Sequence, residues 1–405
     1  AANNTSADST ALSITIDTGA PSAPASLDLA AADDTGTSNS DNVTRNTTAL
    51  TISGTSEANA TIKIYLTSSA GTLLQTVTAD GSGNWSGDIT LSEGVNSVVA
   101  TATDAANNTS ADSTALSITI DTTAPTNQDT VYAASSSRTG GGSVTIVSSG
   151  TASNEVWFAP AGTTTFTAGA TMTQATSGTA TSILAPATAG SYKLYELDLA
   201  GNMSAESAAI LTVDKTAPTI TSVAPATNAY VNTANVSYTI DEDCVAGSGS
   251  RVTWTRTGGT ADGSSPHTAQ LSGTELIAGT KTNITLANAP TLVSGTIYTV
   301  EFLCTDAAGN ASTAVSSTNV TYDTTLPVIT VTTPTSSSFV ASTAVNYSNS
   351  EICQSGSITW TQTSAGPPTD SSSPHVQALT GAELNAGTFN GSITNNPTLV
   401  DGVVY

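Results

Sequence analysis

Residues 1–18 read AANNTSADSTALSITIDT, and residues 105–122 repeat them letter for letter. A verbatim repeat at an offset of about 100 residues has the length of one small β-domain, so the chain is expected to be a tandem array that starts inside one unit and runs straight into the next copy. Within the repeat, Leu116, Ile118 and Ile120 alternate with polar residues. That period of two is what a half-buried strand requires. Ile62, Ile64 and Leu66 show the same alternation, which separates this Ser-, Thr-, Ala- and Gly-rich chain from a disordered tract of similar composition.

Working outward, strands are expected near residues 25–29, 49–54, 61–66, 73–78, 85–90, 96–103 and 115–120. Turn-rich segments such as Asp80-Gly-Ser-Gly-Asn84 separate them. Seven short strands in about 100 residues is the count of an immunoglobulin-like sandwich. No stretch shows a convincing helical period, and a parallel α/β fold would need crossover helices. The fold class is therefore all-β, a tandem array of immunoglobulin-like sandwiches.

A recurring pentad marks the boundaries: Asp17-Thr-Gly-Ala-Pro21, Asp121-Thr-Thr-Ala-Pro125, Asp214-Lys-Thr-Ala-Pro218 and Asp323-Thr-Thr-Leu-Pro327. Proline cannot donate to a sheet ladder and fixes its own φ, so each pentad reads as a short stiff linker. The units are then residues 18–121, 122–214, 215–323 and 324–405. Residues 1–17 are expected to be the last strand of a preceding repeat, and the fourth unit to be cut before its end.

Charge narrows the function. Asp and Glu number 31 against 8 Lys and Arg, a formal charge of −23. Such a chain repels nucleic acid and anionic membrane surfaces, and divalent cations are its natural counter-charge. No apolar run approaches the roughly 20 residues that a spanning helix needs, so direct membrane insertion of this segment is not expected.

One constellation carries chemistry. Before each final strand stand Asp104-Ala-Ala-Asn-Asn108-Thr-Ser110, Asp198-Leu-Ala-Gly-Asn202-Met-Ser204 and Asp306-Ala-Ala-Gly-Asn310-Ala-Ser312. Asn107 exchanges with Gly201 and Gly309, as a left-handed backbone position permits, so the loop is tight and of fixed shape. Each unit also has an acid expected between its second and third strands: Glu57, Glu155, Glu242 and Glu351. In a seven-strand sandwich these two loops share the end at which the chain enters, where Asp17, Asp121, Asp214 and Asp323 arrive. Topology thus gathers carboxylates and an Asn carbonyl (Asn108, Asn202, Asn310) at each junction. An oxygen-only set without His or Cys suits Ca²⁺. The competing reading is that these are solvated turn formers. A second acidic run, Asp33-Asp34 through Asp41-Asn42, has the oxygen spacing of a calcium loop without a terminal Glu, and reads equally as a long polar loop.

Cys244 and Cys304 flank Trp254 in the order Cys, Trp, Cys, with inward parity on their strands. That order suits a disulfide, while three buried free thiols in a reducing compartment is the other reading. Cys353 aligns with Cys244, and Tyr405 with Tyr298, so a partner for Cys353 is expected just past Tyr405. Trp85, Trp157, Trp254 and Trp360 read as core or hairpin residues rather than a sugar platform. His267 and His375 share a Ser-Pro-His turn, and no cleft is evident to make either catalytic. Enzymatic activity is not expected.

The recurring D-x-A-G-N-x-S, a strand and then D-T-T-A-P resembles the bacterial immunoglobulin-like repeats of giant surface adhesins, the biofilm-associated and type I-secreted kind. The resemblance implies a non-enzymatic, extracellular stalk on the bacterial surface, rigidified by Ca²⁺ at the junctions, whose partners are neighbouring repeats of the same chain. An alternative is a subunit of an extracellular filament, sheath or surface layer with lateral self-association. A further one is an array of carbohydrate-binding modules.

Overall fold

A computed structural model describes residues 3–175 and 177–405. The first complete unit contains strands β1 (Ala25–Leu29), β2 (Val43–Thr44), β3 (Leu50–Thr55), β4 (Thr61–Leu66), β5 (Leu73–Thr78), β6 (Asn84–Ile89), β7 (Gly94–Thr103) and β8 (Leu116–Ile120). They make a three-stranded sheet, β1-β3-β6, and a five-stranded sheet, β2-β8-β7-β4-β5. The inward side chains of the two sheets, among them Leu50, Ile52, Ile62, Ile64, Ile118 and Ile120, form one buried cluster. That is a β-sandwich, with polar residues alternating outward as the sequence pattern requires. Strand β2 is too short for periodicity to reveal. It pairs in parallel with β8, Val43 opposite Thr119, and so carries the chain from one sheet to the other.

The third segment repeats the plan with a three-stranded sheet of Ile220–Ala224, Val236–Ile240 and Gly279–Ile284. Its five-stranded partner has Thr296–Leu303 and Val315–Tyr322 at its centre. The second segment has a five-stranded sheet around Glu155–Ala159 and Gly190–Leu197 with a two-stranded sheet opposite. It also has one short helix, Gln128–Val131, that alternation could not announce. In the fourth segment, sheets of three and two strands surround Val345, Tyr347, Leu379 and Ile393. Four buried clusters result, each drawn from one stretch of chain.

The verbatim repeat folds in two ways. At 116–120 the letters form β8, locked against β7 with Ile118 and Ile120 buried. At 12–16 the same letters form no strand, and Leu12, Ile14 and Ile16 are 82%, 73% and 86% exposed. Strand propensity is largely a measure of packing against neighbours. Residues 12–16 have the pattern but no sheet beside them.

Candidate metal centre and the linker clamp

The D-x-A-G-N-x-S loop has one geometry in all three units. The Asp main chain bonds that of the Asn four residues on, Asp104 to Asn108, Asp198 to Asn202 and Asp306 to Asn310. Oδ1 of each Asp accepts the Asn backbone N–H at 2.8 Å. Oδ2 accepts the Asn side-chain amide at 2.8–2.9 Å. The position between them is left-handed, with φ 68° at Asn107, 84° at Gly201 and 96° at Gly309. The motif serine closes the loop: Ser110, Ser204 and Ser312 hydroxyls accept the N–H of Ala102, Glu196 and Cys304 on the preceding strand. The Asp, the left-handed position, the Asn and the Ser of the motif are thus explained by loop construction.

The Asn does more than close the loop. Its second amide hydrogen goes to the main-chain carbonyl of the entering linker Asp, from Asn108 to Asp17 at 3.1 Å, Asn202 to Asp121 at 2.8 Å and Asn310 to Asp214 at 3.1 Å. The amide group, rather than the carbonyl oxygen expected to ligate a cation, faces the linker. On the other side the N–H of Asp121, Asp214 and Asp323 is held by Thr44, Arg138 and Val231 of the preceding unit. Asp121 and Asp214 are therefore gripped from both sides, N–H by the unit before and C=O by the unit after. The linker carboxylates take part as turn formers, with Oδ1 of Asp17, Asp121, Asp214 and Asp323 accepting the N–H two residues on.

The junctions differ in what else they collect. Among the described residues, one group of three carboxylates converges: Asp214, Glu242 and Asp306, with ligand oxygens all within 4.8 Å of one another. Burial, and then the charges of Asp306, Asp214 and Asp241, push the Glu242 carboxyl above the usual range. No Lys or Arg among the described residues pairs with the three. The Cys244–Cys304 disulfide, Cα–Cα 5.9 Å, lies beside the cluster. It fastens the chain two residues after Glu242 to the chain two residues before Asp306. Cys353 is free in this chain. At the fourth junction Asp323 and Glu351 form a carboxyl pair. Thr325 N–H donation holds Asp323 low, while burial and then the neighbouring Asp323 carboxyl hold Glu351 high.

Glu57 and Glu155 do not join such groups. Glu57 sits exposed on a tight turn whose ends are fixed by Ala60 N–H to Glu57 O and by Ser56 N–H to Gly83 O. Glu155 is not in a loop at all but is the first residue of strand Glu155–Ala159. Two residues on along the same face, the Trp157 indole N–H donates to its Oε2 at 2.8 Å. Glu155 and Trp157 line a cleft of about 620 Å³ between the first two units, with Arg45, Phe166 and Gln174.

In the Asp33–Asn42 loop the acids divide. Half-buried Asp33 accepts Thr51 N–H at 2.9 Å, buried Asp34 accepts Asn42 N–H at 3.0 Å, and exposed Asp41 accepts Val43 N–H at 3.1 Å. The loop lies against the next unit, where the Thr35 hydroxyl donates to Ala200 O at 2.8 Å and Arg45 Nη1 to Gly201 O at 2.5 Å.

A further set escaped the sequence. His267 Nε2 and the Tyr298 hydroxyl both bond Asp262 Oδ2 at 2.6 Å, and His375, Tyr405 and Asp370 repeat the arrangement. The Tyr hydroxyl first and the His second hold each Asp down to about 2. The signal was present, an Asp five residues before each Ser-Pro-His histidine. Trp85, Trp157 and Trp254 are buried.

Residues 21–122 and residues 214–324 match two different family models, each described as a bacterial Ig-like domain. The chain thus carries two bacterial Ig-like domains within a tandem set of β-sandwiches. No curated protein matches it. Among solved structures, it is similar to the FN1–FN3 domains of chicken CNTN1 at 13% identity, over 75% of this chain and 100% of that one, TM-score 0.25. It is also similar to the Bacteroides ovatus mixed-linkage glucan utilization locus protein SGBP-B, in complex with a mixed-linkage heptasaccharide, at 12% identity over 86% of each chain, TM-score 0.18. Neither likeness bears on what this chain does. Among the described residues, no helix is long and apolar enough to cross a membrane.

Proposed function

We propose, for a chain whose residues 21–122 and 214–324 are bacterial Ig-like domains, that it is a length of non-enzymatic extracellular stalk from a repetitive bacterial surface adhesin, stiffened at its junctions in part by Ca²⁺. The double grip on the linker carries this reading. A residue whose N–H is held by one unit and whose C=O is held by the next cannot turn about its own φ and ψ without breaking one of the two hydrogen bonds. Repeated at Asp121 and Asp214, the device turns a string of sandwiches into a directed rod. The Cys244–Cys304 disulfide supports an oxidising, extracellular setting.

The third junction fits a hard cation best. Asp214 has Oδ2 free, Asp306 has donated bonds on both oxygens with lone pairs to spare, and Glu242 is drawn in between. When bound, Ca²⁺ would supply the positive charge that three converging carboxylates lack. Bare, the three repel and favour a splayed linker. Glu57 and Glu155 give no such set, so the first two junctions rest on the Asn clamp.

Small-angle scattering of the whole chain tests the reading. Four sandwiches of roughly 40 Å each predict a rod well beyond about 100 Å. Added calcium should sharpen its longest dimension, and Asp214→Asn with Asp306→Asn should remove that response. A compact particle, or scattering indifferent to calcium and chelator alike, would sink the proposal. Ordered polymers in place of single rods would favour the filament alternative.

A further inference from the structure

Asp34 is 4% exposed, and its Oδ1 has no hydrogen-bond partner among the described residues. The Asn42 side-chain oxygen, whose backbone N–H holds the other Asp34 oxygen, is also buried and without a partner. The Asp41 carboxylate reaches Asp34 from the same turn. Two buried oxygens without donors, beside a second carboxylate, are costly unless something positive or protic lies among them. Carboxylate and amide oxygens without nitrogen or sulfur are the donor set of a hard cation, and a flexible loop of such groups suits Ca²⁺ more than the rigid octahedron of Mg²⁺.

We infer that the loop closed by Asp34, Asp41 and Asn42 is a calcium site, separate from the Asp214 cluster, and that binding there sets the shape of the surface on which the second unit docks. Asp33 is left out of the set, since its carboxylate is held on the neighbouring strand by Thr51 N–H. The segment between the ligands is the docking surface itself. Thr35 bonds Ala200, and Gly36 lies so close that a Cβ on it would stand 2.0 Å from Leu199 O. The adjoining Arg45 bonds Gly201. An ion drawing Asp34, Asp41 and Asn42 together would fix the ends of that segment and hence the seat of the 198–202 loop, the same loop whose Asn202 clamps the linker from behind. The junction would then be governed from both faces.

The test is calorimetric calcium titration of the whole chain in a background of Asp214→Asn, Glu242→Gln and Asp306→Asn, which blanks the other cluster. Asp34→Asn removes the buried charge. Asn42→Gly removes the side chain with its oxygen while keeping the backbone N–H that holds Asp34, and Asn42 has φ 59°, a conformation glycine takes without strain. Either change should lower the calcium stoichiometry by one ion per chain. In the background protein, calcium should slow amide exchange across residues 33–46 and 199–201, and Asn42→Gly should abolish that protection. Unchanged stoichiometry with unchanged exchange in Asn42→Gly would overturn the inference even if Asp34→Asn does not fold. Since the background lacks the Asp214 cluster, that result leaves the stalk reading standing or falling on its own test.

Discussion

Breaking the Cys244–Cys304 bond should weaken the third sandwich and its metal centre together. The bond closes a loop with a sequence separation of 60 residues. For a loop of that length, the chain-entropy model gives a stabilisation of roughly 4 kcal/mol from restriction of the unfolded chain. Unfolding entropy of about 2.1 cal/mol/K per residue amounts to roughly 0.2 kcal/mol/K for a unit near 100 residues, so the loss corresponds to a fall of roughly 20 °C in the Tm of that sandwich. The other sandwiches share no core side chains with it and should not move. Calorimetry of the whole chain, with and without a phosphine reductant, would show one transition shifting while the rest stay in place. Cys244→Ala with Cys304→Ala should reproduce the shift and make the reductant inert.

The same bond ties the chain beside Glu242 to the chain beside Asp306, so calcium affinity at the cluster should fall with it. A calcium isotherm on the oxidised and reduced chains checks this at a temperature where both are folded. If the shift is under about 5 °C with an unchanged isotherm, the disulfide neither restrains the unfolded chain as the entropy model requires nor assembles the site.

Gly36→Ala should open the junction between the first two units, because its Cβ would meet Leu199 O at 2.0 Å; faster amide exchange at residues 199–202 without loss of either sandwich is the expected result. Asn202→Ala removes the bonds to Asp121 O and Asp198 Oδ2, should cost about 2 kcal/mol, and should free the 121–125 linker as read by spin-label mobility. Asp262 and Asp370 have carboxyls held down to about 2, so the stability they contribute is complete above the ordinary value of 3.8 and is lost as pH falls from there through about 2. Acid unfolding followed by circular dichroism should show that loss, and Asp262→Asn with Asp370→Asn should reduce the pH dependence in this window while lowering the neutral-pH midpoint.

Much of this was legible from residue order because the deciding forces are local. Alternation placed β3, β4 and β7 to within a few residues, since a half-buried strand has no other way to hide Ile62 and Ile64. The exchange of Asn107 with glycine announced a left-handed turn that the structure contains. The carboxylates were harder, because which way an acid points depends on where a strand begins. Glu155 begins one, and that choice of register delivers it to the Trp157 indole. Glu242 was the exception, placed by topology beside Asp214 and Asp306, where the structure has it. The Asn amide illustrates the same limit: its oxygen and nitrogen are one letter in the sequence, and only the linker carbonyl beside it decides which end is used.

The two kinds of hold at these junctions respond to conditions differently. The Asn clamp joins a neutral amide to a main-chain carbonyl, so salt and chelators should leave it largely intact. The carboxylate groups are the opposite case. With 31 acids against 8 bases, the acids that converge at the third and fourth junctions face one another rather than Lys or Arg, and their repulsion is relieved by cations or protons. A rod built on clamps alone would keep its direction in any medium. One that adds Asp214, Glu242 and Asp306 would, on the proposed reading, acquire a joint whose stiffness follows the surrounding divalent cation. Replacing Asn310 with Ala should therefore make the third junction depend wholly on calcium: rod length by scattering should then collapse on chelation and recover on adding the ion. If the Asn310→Ala chain keeps its length in chelator, neither the clamp nor the carboxylate group sets the geometry there.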